Sequence, residues 1–273
     1  MGRSSQSEDY VLRGGRAGAE RLRVLNRVKW PTTQPLLGAA GLQAGMSCLD
    51  VGCGSGDVTL KMAAIVGDEG RVEGIDRDRS ILHLARQEAD KRGLPVTFRT
   101  LEAEDLAEQS TYDLVFARYL LSHLPRPRRA LEAMVRAVRP GGRLVLEDVY
   151  FPGHVCYPPN AAFDRFVELY QAVARAKEGG DAAIGVRLLE MALEAGLEEV
   201  RVGLVVPTFR EGEGKRVTQI TMEHIREAVI DAGLASDAEV DNVVGELGRI
   251  AVDDRTLMSI APTFQVWGLK AGA

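Results

Sequence analysis

Cysteine is scarce in this chain of 273 residues: Cys48, Cys53 and Cys156 are too few and too irregularly spaced for a disulfide framework or a zinc cluster. Two of them fall in what reads as the first strand and its turn, where a small buried thiol packs well. No apolar run approaches membrane-spanning length, and the first twenty residues carry Arg3, Arg13 and Arg16 but no apolar signal-peptide core. The expectation is a cytoplasmic chain with no membrane partner. Excess positive charge is also missing. A formal net charge of -5 argues against attraction to phosphate backbones, so no nucleic-acid partner is expected and the ligand should be a small molecule. Internal repeats and low-complexity tracts are absent. What is present, 45% hydrophobic and 27% charged residues, is an ordinary globular composition, and the length supports one full core.

Apolar residues at helical spacing in Ala17–Val28 predict a leading helix, and Pro31 and Pro35 separate it from a second at about 34–41. From Met46 short apolar runs alternate with helical stretches, the pattern of strand-helix units around a parallel sheet. Strands are expected at Ser47–Val51, Arg71–Asp76, Val96–Thr100, Tyr112–Ala117 and Arg143–Asp148, with helices near Asp57–Val66, Arg79–Arg92 and Pro127–Val138. Arg139-Pro140-Gly141-Gly142 stops the last of these and turns the chain. The rhythm breaks after Tyr150, then resumes with helix Ile184–Ala195, strand Glu199–Val206, a long helical region from Thr221 to about Ile250, and strand Thr263–Lys270. A further helix, Ala161–Ala176, fills the first break.

Strand Cys48–Val51 runs straight into Gly52-Cys53-Gly54-Ser55-Gly56, and a helix opens at Asp57. Glycine lets backbone turn sharply and approach a ligand, while a helix N-terminus offers free N–H groups and positive dipole, so a nucleotide-like ligand fits. Asp50 before the turn and the Gly-x-Gly-x-Gly spacing disfavour dinucleotide binding. The second strand ends at Asp76, a carboxylate able to accept both hydroxyls of a ribose. Asp76 could instead cap the next helix, but Asp78 and Ser80 are better placed for that.

Asp50-x-Gly-x-Gly-x-Gly, Asp76 and Pro140-Gly141-Gly142, in this order and spacing, resemble the class I S-adenosylmethionine-dependent methyltransferases, over about Met46 to Asp148. Gly45-Met46 and the run Met134–Leu146 look most like the small-molecule branch that includes quinone-biosynthesis C-methyltransferases. The resemblance implies an α/β fold with a doubly wound, seven-stranded, mostly parallel sheet and helical insertions forming a substrate cap. It implies an N-terminal helical lid over 1–45, an S-adenosylmethionine-binding core over 46–150, a cap insertion over 151–183, and the rest of the sheet over 184–273 with a second insertion at about 207–255. The implied cofactor is S-adenosyl-L-methionine. Gly52 and Gly54 would cradle its methionine part, Asp50 would orient the ammonium, Asp76 would bind the ribose and Arg77 would flank the adenine. Glu102-Ala103 stands where the family commonly has Asp-Ala against the adenine, longer by one methylene, and Asp105 or a slightly shifted loop could take the place of Glu102. Tyr10 and Gly14-Gly15 match a lid that closes over the cofactor in this branch, and Tyr10 could equally be an ordinary anchoring aromatic.

At the end of the fourth strand, Arg118 is assigned to the cofactor and Tyr119 and Ser122 to the substrate. His123 is a candidate base there, against the alternative that it only positions the following turn. The break at 151–180 brings His154, Tyr157 and Phe163 to the sheet edge where open α/β folds bind ligands: His154 as a second candidate base, Tyr157 and Phe163 as substrate contacts. Phe163, Phe166 and Tyr170 could instead be the buried stripe of one helix, and Met222, His224 and Arg226 are weaker candidates in the second insertion. The chain lacks the carboxylate cluster of metal-dependent catechol methyltransferases, so no metal is expected. It also lacks the Asn-Pro-Pro-Tyr or Asp-Pro-Pro-Tyr signature of nucleic-acid amino methylation. The resulting expectation is in-line methyl transfer to a small-molecule acceptor, a secondary metabolite or a quinone-like or aromatic compound. Two alternatives stay open: a non-methylating reaction such as cyclisation on the same cofactor-binding scaffold, and a non-enzymatic partner of an active paralogue. The helical insertions are also candidates to pair across a homodimer.

Overall fold

The computed structural model describes residues 15–272, with side chains from Arg23 onward. Helix α1 (Gly15–Ala39) leads into β1 (Ser47–Val51), α2 (Asp57–Val66), β2 (Arg71–Asp76), α3 (Arg79–Arg92), β3 (Val96–Thr100), β4 (Tyr112–Arg118), α4 (Pro127–Ala137) and β5 (Val138–Val149). Then follow β6 (Cys156–Tyr157), α5 (Ala161–Ala176), α6 (Leu188–Glu194), β7 (Leu197–Val205), β8 (Thr208–Phe209), α7 (Glu213–Asp231), α8 (Asp237–Val252), β9 (Leu257–Ser259) and β10 (Thr263–Lys270).

The main sheet has seven strands in the order β3-β2-β1-β4-β5-β10-β7. β1 pairs in parallel with β2 and β4, and the parallel run continues to β3 on one side and β5 on the other. β10 is antiparallel to both of its neighbours. Because helices cover both faces, the central strands are apolar almost throughout; in β4 every residue from Tyr112 to Ala117 is buried. The strand order reverses between β1 and β4, which opens a crevice above their C-terminal ends. No helix among the described residues is long and apolar enough to cross a membrane.

The expected break in the leading helix does not occur: α1 runs on through Pro31 and Pro35. An internal proline costs about 3 kcal/mol, and here tertiary contacts outweigh it. Leu36, Leu37 and Ala40 are buried against α2 and the sheet, while buried Lys29 and Thr33 bond to Thr263 and Glu147. The expected long helix from Thr221 is two helices, α7 starting earlier at Glu213 and α8 starting after a break. Gly233 turns there with φ 65°, and Ser236 caps α8 by accepting from the Glu239 N–H. A small antiparallel sheet, β6-β9-β8, was not expected, since strands of two or three residues carry no readable period.

Helices α5, α7 and α8 enclose a core of their own, with Phe163, Phe166 and Leu169 packed with Met222, Ile225, Val243 and Leu247. This helical layer follows the C-terminal ends of the strands and meets α1 through Val24, Val217 and Ile260. It forms a roof over the crevice.

Candidate cofactor and acceptor site

The turn after β1 is built by glycine. Gly52 and Gly56 have φ of 72° and 76°, in the left-handed region that L side chains avoid. A Cβ at Gly56 would also stand 2.8 Å from Phe98 Cζ. The Gly52 and Cys53 N–H groups both donate to the Ile75 carbonyl, at 2.8 and 2.9 Å, which pins the turn to β2. Gly56 is the N-cap of α2 and supplies no side-chain cap, so the positive end of the helix dipole faces the turn.

Two carboxylates stand beside the turn. Asp76, at the end of β2, accepts from the Gly54 N–H through one oxygen and from the Asp78 N–H through the other, both at 2.9 Å. Each carboxylate oxygen keeps a further acceptor site. Asp78 caps α3 by accepting from the Ser80 and Ile81 N–H groups, which leaves Asp76 out of the capping role. Asp50, on β1, is buried and accepts from the Thr59 hydroxyl at 2.6 Å. Burial pushes the Asp50 carboxyl up to about 6, against the opposing effect of the Thr59 bond and of Arg118, and it raises Asp76 as well. Two desolvated acids side by side favour a ligand that brings positive charge.

Arg118 closes β4 and reaches toward α1, donating to Asn26 Oδ1 and, at 3.0 Å, to Thr33 Oγ1. Tyr119 follows with φ 54°, a strained conformation for an aromatic residue. Its backbone N–H donates to the Glu147 carbonyl, and its hydroxyl bonds Thr263 Oγ1 at 2.8 Å. Lys29 Nζ donates to the same hydroxyl at 2.8 Å and lies 5.7 Å from the Tyr119 ring centre. Burial lowers Lys29 to about 7 and raises Tyr119.

One cavity of about 190 Å³ joins these groups to the helical roof. Its floor is Asp50, Gly52, Gly54 and Asp76, and its roof includes Phe151, His154, Phe166 and Tyr170. Phe151 and Tyr170 stack at 3.7 Å between ring centres.

A family model described as a methyltransferase domain matches residues 42–187, more than half of the chain. The chain belongs to the class I S-adenosylmethionine-dependent methyltransferases. The demethylmenaquinone methyltransferase of Bacillus cereus is 29% identical over 174 residues, covering 59% of this chain and 73% of that one. Among solved structures, the YcgJ protein of Bacillus subtilis aligns with TM-score 0.59 at 17% identity, over 88% of this chain and 98% of that one. The [4+2]-cyclase SpnF aligns with TM-score 0.55 at 20% identity, over 89% and 82%. These last two share the fold.

The cofactor of this methyltransferase is S-adenosyl-L-methionine, and the residues present fit it. The two acids suit its cationic groups, the further acceptor sites of Asp76 suit a diol, and the glycine turn at the start of α2 leaves room for backbone approach. Of the residues expected from the sequence, Asp50, Gly52, Gly54, Asp76, Arg118, Tyr119, Ser122, His123 and His154 line the one cavity. Arg77, Glu102 and Ala103 are not among its lining; Arg77 and Asp76 are close enough to Glu102 to act on its charge, so the group sits beside the cavity's floor. Tyr10 lies outside the described residues. Tyr157, expected on the substrate wall, is 66% exposed and pairs with Leu257 in the small sheet. Phe163 is packed in the core of the roof, behind the cavity wall, as the buried-stripe alternative has it. On α7, Met222 is buried in that core and Arg226 is tied to Asp237 and Asp241, while Thr218 and Thr221 line the cavity. Sequence reasoning missed both threonines, and it missed Asn26 and Ile260, because plain threonines, an asparagine and an isoleucine carry no motif.

Proposed function

We propose that this methyltransferase moves a methyl group from S-adenosyl-L-methionine to a small aromatic acceptor held between the glycine turn and the helical roof. The observation carrying this is the cavity shared by Asp50, Gly54 and Asp76 on one side and Phe151, Phe166 and Tyr170 on the other. The Bacillus cereus relative, whose name gives demethylmenaquinone as its acceptor, supports the same reading.

Bound there, S-adenosyl-L-methionine supplies an electrophilic methyl group on a sulfonium. The chain aligns the acceptor for in-line attack and keeps water out. Asp76 would hold the ribose, the Gly52–Gly56 turn would cradle the methionine part, and Asp50 with Arg118 offers opposite charges to the amino-acid end. The aromatic roof binds the acceptor ring and lowers the local dielectric. Tyr119, fixed by Thr263, lines the wall from the β4 side.

Incubation with methyl-labelled cofactor and a panel of phenols, hydroquinones, aromatic amines and aliphatic amines and carboxylates should move label to at least one aromatic acceptor. Label transfer confined to non-aromatic acceptors would refute the acceptor class. Cofactor binding together with acceptor turnover but no label transfer would favour a non-methylating reaction on this fold.

A further inference from the structure

His154 is set in the roof in a way that determines which of its nitrogens meets a ligand. Its Nδ1 lies 2.8 Å from the Phe151 carbonyl oxygen, an atom that can only accept. The proton therefore sits on Nδ1, and neutral imidazole then carries a bare lone pair on Nε2. The ring cannot easily turn, being packed 4.3 Å from the Phe151 ring centre, 5.9 Å from Phe163 and 6.1 Å from Phe166. His154 lines the cavity, and Nε2 has no hydrogen-bond partner among the described residues. Burial drives the imidazole down to about 4, so it stays uncharged at neutral pH and makes a poor general base. In the same cavity, the Thr221 hydroxyl of α7 also has no partner among the described residues.

Resting on the aromatic-acceptor reading, we infer that His154 is a specificity-determining residue: its Nε2 accepts a hydrogen bond from an O–H or N–H on the acceptor ring, with Thr221 as a second polar contact. A cavity that presents an unpartnered acceptor discriminates against analogues that lack the matching donor, because that hydrogen bond is then not made. Acceptors would thus be hydroxy- or amino-aromatics, and their alkyl ethers or bare hydrocarbons would be rejected. The candidate base of the sequence reading becomes a recognition group.

The test uses 2-naphthol and naphthalene as probes, titrated into the full chain saturated with S-adenosylhomocysteine. The wild type should bind 2-naphthol about three- to tenfold more tightly than naphthalene. His154→Phe, which keeps an aromatic of similar shape, should bind the two equally, and His154→Gln should recover part of the preference through its amide oxygen. Unchanged S-adenosylhomocysteine affinity in both variants verifies the fold. Equal binding of the two probes by the wild type, or a preference kept by His154→Phe, would overturn the inference while leaving the aromatic-acceptor reading intact. Failure of both probes to bind a chain that still binds S-adenosylhomocysteine would overturn that reading, and the inference with it.

Discussion

Acidification from pH 7 to pH 5 should weaken S-adenosyl-L-methionine binding through Asp50. Desolvation raises this carboxyl from 3.8 to about 6, more than its bond to Thr59 and the nearby Arg118 lower it. Roughly nine-tenths of Asp50 is then ionised at pH 7 and about one-tenth at pH 5. If the ammonium of the cofactor requires the carboxylate, apparent Kd rises about tenfold across that interval, ~1.4 kcal/mol. The fold itself is not undermined by the same titration. A folded-state pKa above the unfolded value contributes stability below the unfolded value, and that contribution is lost as pH rises through about 6. Asp148, also raised to about 6 by burial, acts in the same direction. Calorimetric titration at pH 7, 6 and 5 reads the affinity, and Asp50→Asn supplies the control: weaker binding at pH 7 and no pH slope of this size. Wild-type affinity that is flat between pH 7 and pH 5, or an Asp50→Asn variant with the full slope, would refute the reasoning.

Lys29, lowered from 10.5 to about 7 by burial, keeps its proton in the unfolded chain to much higher pH, so stability should rise from pH 7 upward. The slope is up to ~1.4 kcal/mol per pH unit, readable to about pH 8.5, before thiols such as Cys48 oppose it. Lys29→Met should flatten that rise in urea denaturation; an undiminished rise would show that the charge is accommodated elsewhere. Gly56→Ala should cost about 1–3 kcal/mol of stability, from a left-handed φ and a Cβ 2.8 Å from Phe98, and should weaken cofactor binding. Thermal melts with and without S-adenosylhomocysteine measure both, and wild-type values would contradict the turn geometry. Phe166→Ala, which hollows the fully buried roof core, should lose about 3–5 kcal/mol in chemical denaturation; a loss under ~1 kcal/mol would mean the roof packs differently.

The floor of the cavity was legible because a tight turn and a strand end constrain residue type locally. A turn with positive φ at Gly52 and Gly56 needs glycine, and a strand-end acid such as Asp76 stands at a predictable place once the strand-helix rhythm is read. The roof was not legible to the same depth. Which face of α5 or α7 meets the cavity depends on how these helices pack together, so Phe163 falls in their core while Phe166 and Thr221 reach the cavity. The proline rule failed in α1 for a related reason: buried bonds from Lys29 and Thr33 to distant Thr263 and Glu147 stabilise a helix whose local sequence reads as two. The recognition role of His154 depends on its bond to the Phe151 carbonyl, a contact that spacing does not reveal.

The most direct measurement is calorimetric titration of S-adenosyl-L-methionine into the wild type and Asp76→Ala. One-to-one binding by the wild type, weakened about 30-fold or more by loss of charge-assisted hydrogen bonds in the variant, is the predicted result. Wild-type affinity in a folded Asp76→Ala chain would contradict the placement of the cofactor on the β1–β2 side of the cavity.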